Sequence, residues 1–75
     1  TFHECCSAVI RAAKATRPGS LLSYAGAYAE AGLSIPPTET TAIKVQSRYI
    51  LANLGGWRGE RALKVKSELR RIANA

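Results

Sequence analysis

Residues 49–66 read YILANLGGWRGERALKVK, and the fold turns on how this stretch is divided. Apolar residues at helical spacing run up to Leu54, the pair Gly55-Gly56 halts them, and the only tryptophan, Trp57, leads into a basic helix. A helix, a glycine turn and a basic helix form a binding architecture more often than a catalytic one.

Upstream of the turn, Pro36-Pro37-Thr38-Glu39 restarts the chain, with Thr38 as the expected N-cap and Glu39 placed for the helix dipole. The helix that follows is predicted to run to Leu54. Its apolar arc (Ala42, Ile43, Val45, Tyr49, Ile50, Ala52, Leu54) is wide enough to predict a central element contacted on more than one side, with a short exposed edge at Lys44, Gln46 or Ser47, and Arg48. Downstream, a helix beginning between Gly56 and Glu60 runs to Ala73 and keeps an inward stripe at Ala62, Val65, Leu69, Ile72 and Ala73. Glu60 and Lys64 are spaced as an i, i+4 pair, and Arg58, Arg61, Lys64, Lys66, Arg70 and Arg71 point outward.

Two more helices precede these. The first, about Phe2 to Thr16, places Phe2, Cys6, Val9, Ile10 and Ala13 on one stripe, and Pro18-Gly19 stops it. The second opens on Ser20 as N-cap and is predicted to end at Ala31, with Gly32 as a left-handed stop that folds Leu33 back on Tyr28. Small residues (Ala25, Gly26, Ala27, Ala29, Ala31) let another helix approach it closely, while Tyr24 and Tyr28 are spaced to stack at i, i+4. No segment reads as a strand, so residues 1–75 are expected to form one all-α, compact four-helix domain. The alternative gives its C-terminal helix pair a helix-turn-helix role.

A chain of 75 residues buries only about 60% of the surface its unfolded form exposes, so the core is marginal and a second subunit is the expected reinforcement. The self-association surface is expected on the small-residue side of the second helix or an exposed sector of the third. The two cysteines, Cys5 and Cys6, are adjacent and point about 100° apart on a helix, which does not suit a disulfide and implies reduced thiols in a cytoplasmic setting. Phe2 to Ile10 contains His3 and Glu4 and does not read as a signal peptide, and nowhere do roughly 18 apolar residues run together, so no membrane role is expected. The net charge is +6 with no aspartate. From Arg58 onward six Lys or Arg face two Glu, against five and three in the first 57 residues, so most of the positive field lies on the last helix and favours an anionic partner.

Each candidate site has two readings. Trp57 either plugs the core between the last two helices, or sits with Arg58 at a helix N-terminus where free N–H groups, the dipole and Gly59 suit a phosphate and the indole can stack on a base. The basic face of the last helix is either a solvated face or the functional surface. His3, Cys5 and Cys6 lack the four spaced ligands of a zinc site, and His3 with Cys6 at i, i+3 has nothing to orient the imidazole, so no metal, cofactor or catalysis is expected.

Three strings carry a resemblance: AYAEAGL (27–33), VQSRYILANL (45–54) and WRGERALKVKSEL (57–69). They resemble a group of small uncharacterised helical proteins of tailed phages and prophages, with the signature YILxNLxxWRGxxA. The resemblance covers the C-terminal two-thirds of the chain and rests on Tyr49, Asn53, Trp57, Arg58 and Gly59. The glycine pair before the tryptophan departs from that pattern and implies a looser turn. The resemblance implies a phage origin and no activity; small phage proteins of this size are commonly inhibitors, sponges or regulators acting on host machinery, and an anti-defence or host-takeover role is expected by that association alone. Two functions follow as expectations. One is a small helical oligomer that inhibits or sequesters a host protein or an anionic nucleotide ligand through Arg48, Tyr49, Trp57, Arg58, Arg61, Lys64, Lys66 and Arg70, in the host cytoplasm. The other is a DNA-binding regulator whose Arg58, Arg61, Lys64 and Lys66 reach phosphates or base edges. Against it, the last helix has no Asn or Gln to read adenine before Asn74.

Overall fold

A capping box launches the chain: the Thr1 hydroxyl accepts from the Glu4 amide, and the Glu4 side chain turns back on the Thr1 backbone. The computed structural model describes residues 1–75 as four helices, α1 (Phe2–Lys14), α2 (Leu21–Leu33), α3 (Thr40–Ala52) and α4 (Glu60–Ala73), with no strand. The four-helix, all-α reading therefore holds. Helix α1 stops ahead of Pro18 and of Gly19, whose φ of +90° lies in the left-handed region. Ser20 caps α2 as expected, accepting from the Ser23 amide at 3.2 Å.

The end of α2 differs from expectation. Gly32 lies inside the helix, at negative φ, and the cap is Ser34. What requires glycine there is packing: a Cβ on Gly32 would stand 2.9 Å from Cys6 Sγ and from Phe2 Cζ. Gly26 is tighter still, because its Cβ would meet that of Ala13 at 2.5 Å. Of the small residues of α2, Ala25, Gly26 and Ala29 are thus buried and not free for a partner, while Ala27 and Ala31 stay exposed.

Helix α3 also corrects the sequence reading. The Glu39 amide bonds to the Pro36 carbonyl, closing a turn that uses up Thr38, so the helix starts after Glu39 with no side-chain cap. It ends at Ala52 because the chain leaves the helix in successive tight turns, Leu54 N–H to Leu51 O and Trp57 N–H to Leu54 O. The bundle closes as a ring in which α1 packs on α2 and α4, and α3 packs on α2 and α4. Helix α3 is therefore no more central than its neighbours: Ile43, Ser47 and Ile50 point inward, while Ala42, Val45, Tyr49 and Ala52 stay exposed. The deepest contribution comes from α1, whose Cys6 and Val9 are fully buried beside Ile50, Leu54 and Leu69. The inward stripe of α4 holds at Ala62, Val65, Leu69 and Ala73, with Ile72 half-buried. Ser47 is buried, with no protein partner for its hydroxyl.

Candidate functional site

The turn 53–59 is held from both sides. Asn53 caps α3 and its side-chain amide donates to the Tyr49 carbonyl at 3.0 Å, while Leu54 drops into the core. Trp57 packs half-buried against that core, so its ring is shared between interior and surface. From α4, the Lys66 ammonium reaches back and donates to the Trp57 carbonyl. Gly55 and Gly56 need no left-handed backbone; the residue that does is Gly59, the α4 N-cap, at φ +113°. Glycine offers no capping side chain, and the first helical bond is Leu63 N–H to Gly59 O, so the amides of Glu60, Arg61 and Ala62 have no partner in the chain. Beside them lies an open depression of about 510 Å³ lined by Gly55, Trp57, Arg58, Gly59, Glu60, Leu63 and Lys66.

Of the eight residues singled out from sequence, this depression gathers Trp57, Arg58 and Lys66. Arg70 extends it, sharing a groove with Lys66, Leu51, Leu54 and Gly55. Arg61 and Lys64 lie around the other flank of α4, against Ala8 of α1 and next to Glu60. The inward stripe of α4 thus divides the basic face in two. Glu60 and Lys64 do not close the expected ion pair; the one ion pair within α4 joins Arg71 to Glu68 at 2.6 Å and holds the Glu68 carboxyl below its usual range.

Arg48 and Tyr49 go elsewhere. Arg48 donates to the Ala73 carbonyl at 3.1 Å, a cation on the negative end of α4, which is a structural use. Tyr49 stacks on Tyr28, with ring centroids 5.6 Å apart and planes 17° from parallel; Tyr28 does not pair with Tyr24 as its spacing implied. A tertiary neighbour replaced the local one.

That stack joins an exposed sector of α3 to a stripe of α2 that the sequence reading did not identify. Leu21, Tyr24, Tyr28 and Ala31 form a stripe along α2, and Ala42, Val45, Tyr49 and Ala52 form another along α3, all exposed and all uncharged. The Tyr28–Tyr49 stack and the bond from Gln46 to the Tyr28 carbonyl set the stripes side by side. The i, i+3, i+7, i+10 spacing in both helices was the available signal; in α3 these residues were read as part of a wide arc contacted on more than one side, because periodicity does not say which apolar sector is covered.

Of the remaining reactive side chains, the imidazole has a structural partner and the thiols are buried. The His3 ring bonds the Ile35 carbonyl at 2.8 Å. Burial pushes the Cys6 thiol up to about 12 and raises that of Cys5, so both remain protonated, and both are free. No helix is long and apolar enough to cross a membrane. The connection between α3 and α4, residues 53–59, is longer than the three- or four-residue turn of a helix-turn-helix. Compared with protein-family models, curated proteins and solved structures, the chain matches none.

Proposed function

We propose that the chain is a non-enzymatic binding protein of phage origin that docks an acidic surface of a host protein in the cytoplasm, through the Trp57 turn and the cations beside it. The observation that carries this is electrostatic. Of the eleven Lys and Arg side chains, only Arg71 meets a carboxylate, so the positive field is left for a partner. Arg58 lies at the mouth of the uncapped α4, with Leu63, which is 69% exposed, and the half-buried Trp57 beside it. An arginine, an aromatic ring and an exposed leucine within one cationic rim make an anchor cluster for a protein surface. A nucleotide ligand fits less well, because small-molecule sites bury about 70–90% of their ligand and this depression is open. Phage origin rests on the resemblance of the strings 27–33, 45–54 and 57–69, and directs the search to the host.

The test is capture from host lysate by the tagged chain and by an Arg58→Glu, Leu63→Ala variant, each with and without nuclease. The expected result is a host protein retained by the unmodified chain in both arms and lost from the variant. Capture that disappears with nuclease, and whose logarithmic affinity falls by about 0.9 per phosphate contact with the logarithm of salt, favours the DNA reading instead.

A further inference from the structure

The two stripes on α2 and α3 form a face without a charge, on a chain whose net charge is +6. Tyr24 is 54% exposed, Tyr49 51% and Tyr28 40%. Leu21 and Val45 flank them, also exposed. We propose that this face receives a second copy of the chain, in a two-fold dimer centred on the Tyr28–Tyr49 stack.

Charge selects this occupant. In a two-fold interface residue i of one copy meets residue j of the other, and a residue on the axis meets its own copy, so a patch without charges brings no like charges into contact wherever the axis falls. Two copies of a chain of net charge +6 repel least where the surfaces in contact are neutral, and this face is. The nearby charges are turned away: Glu30 lines the α1–α2 groove on the other side of α2, Lys44 lines a cavity with Phe2 and Arg71, and Arg48 is held on the Ala73 carbonyl. A basic or acidic partner would find nothing to pair with on this face.

Area points the same way. A tyrosine carries about 150–250 Å² of surface, so three at roughly half exposure leave about 300 Å² in water. With Leu21, Val45 and the flanking alanines the face reaches the order of 500 Å², near the upper end of what monomers carry. Doubled across a two-fold, it meets the roughly 1,000 Å² that a specific interface needs. Tyrosine suits the position, since its ring supplies a large apolar contact area and its hydroxyl can hydrogen-bond across the contact. None of the residues lining the Trp57 depression belongs to these stripes, so dimerisation and docking at that turn succeed or fail separately.

The test is analytical ultracentrifugation of the full chain over a concentration series from low micromolar upward, with circular dichroism on each variant to confirm that it is folded. The unmodified chain is expected to reach the mass of a dimer. Tyr49→Glu and, independently, Val45→Glu are expected to stay monomeric with unchanged helicity, and Arg61→Glu, on the far flank of α4, to dimerise as before. A monomer at every concentration overturns the proposal, as does a dimer that survives both Tyr49→Glu and Val45→Glu. Formation of a one-to-one complex with a different protein through this face, by a chain that is monomeric alone, also overturns it.

Discussion

Replacing Gly26 by alanine tests whether the α1–α2 contact is as tight as the structure has it. The added methyl would lie 2.5 Å from the Ala13 Cβ, against the 3.5–4.0 Å of an ordinary carbon contact, so the helices must part by roughly 1 Å or slide. Overpacking of this kind costs about 1–3 kcal/mol. Alanine in place of glycine inside a helix returns about 0.5–1 kcal/mol. Sterics win, and the net loss is about 0.5–2 kcal/mol. In a domain of this size each kcal/mol moves the melting temperature by about 4–8 °C, so the fall is readable in a thermal melt. The paired change Ala13→Gly, Gly26→Ala removes the obstructing methyl from one helix and places it on the other, so its stability should return close to that of the unmodified chain. Melts of all four proteins form a double-mutant cycle, with an expected favourable coupling of about 1–3 kcal/mol. A Gly26→Ala protein that melts higher than the parent, or a cycle with no coupling, would refute the close approach and with it the view that α2 spends its small face on α1.

Other consequences are open to direct measurement. Gly59→Ala should cost about 1–3 kcal/mol in a urea titration, because φ +113° with an extended ψ is a region only glycine occupies readily, whereas Gly56→Ala, at negative φ with open space around it, should be neutral or gain about 0.4–1 kcal/mol. Ser47→Ala removes a buried hydroxyl that has no protein partner, so it should leave stability unchanged or raise it by up to about 1 kcal/mol; a clear loss would mean that the hydroxyl is satisfied in solution. Burial raises the Cys6 thiol from about 9 to about 12, so below pH 9 it is protonated folded or unfolded, and between these values only the unfolded chain ionises. Stability should therefore fall as pH rises through that window, less steeply in Cys6→Ala, and native thiols should resist a thiol reagent at neutral pH until the chain is denatured.

Helix number and the α4 stripe were legible because Pro18, Pro36-Pro37 and the 55–59 glycines break a regular 3.6-residue pattern that packing then obeys. What was not legible turned on tertiary partners. Gly32 carries the sequence mark of a helix stop, yet α1 comes so close that the same absence of a side chain serves packing, and the helix runs on. Tyr24 and Tyr28 have the spacing of a local pair, but the stack forms with Tyr49 across the α2–α3 contact. At the candidate site, Trp57, Arg58 and Lys66 line one depression because the turn brings them together. Arg48 was grouped with them by charge and nearness in sequence, and nothing in the sequence revealed that the last carbonyls of α4 would claim its guanidinium.

Cations and exposed apolar side chains occupy different parts of this surface, and salt should act on the two in opposite directions. The docking proposed at the Trp57 turn would be an attraction between unpaired cations and an acidic partner, so it should weaken as the screening length falls from about 10 Å at 0.1 M salt to about 3 Å at 1 M. The self-association proposed across α2 and α3 would involve no charge on the face itself, but it would bring two bodies of net charge +6 together, and that repulsion is what salt screens. Raising salt should therefore strengthen the dimer while it loosens the partner, with the apolar contact itself little affected. Sedimentation of the chain alone, and binding of the captured partner, followed over one salt series, separate the two. A dimer that dissociates as salt rises would show that charged groups hold it together, and the neutral α2–α3 face would no longer account for it.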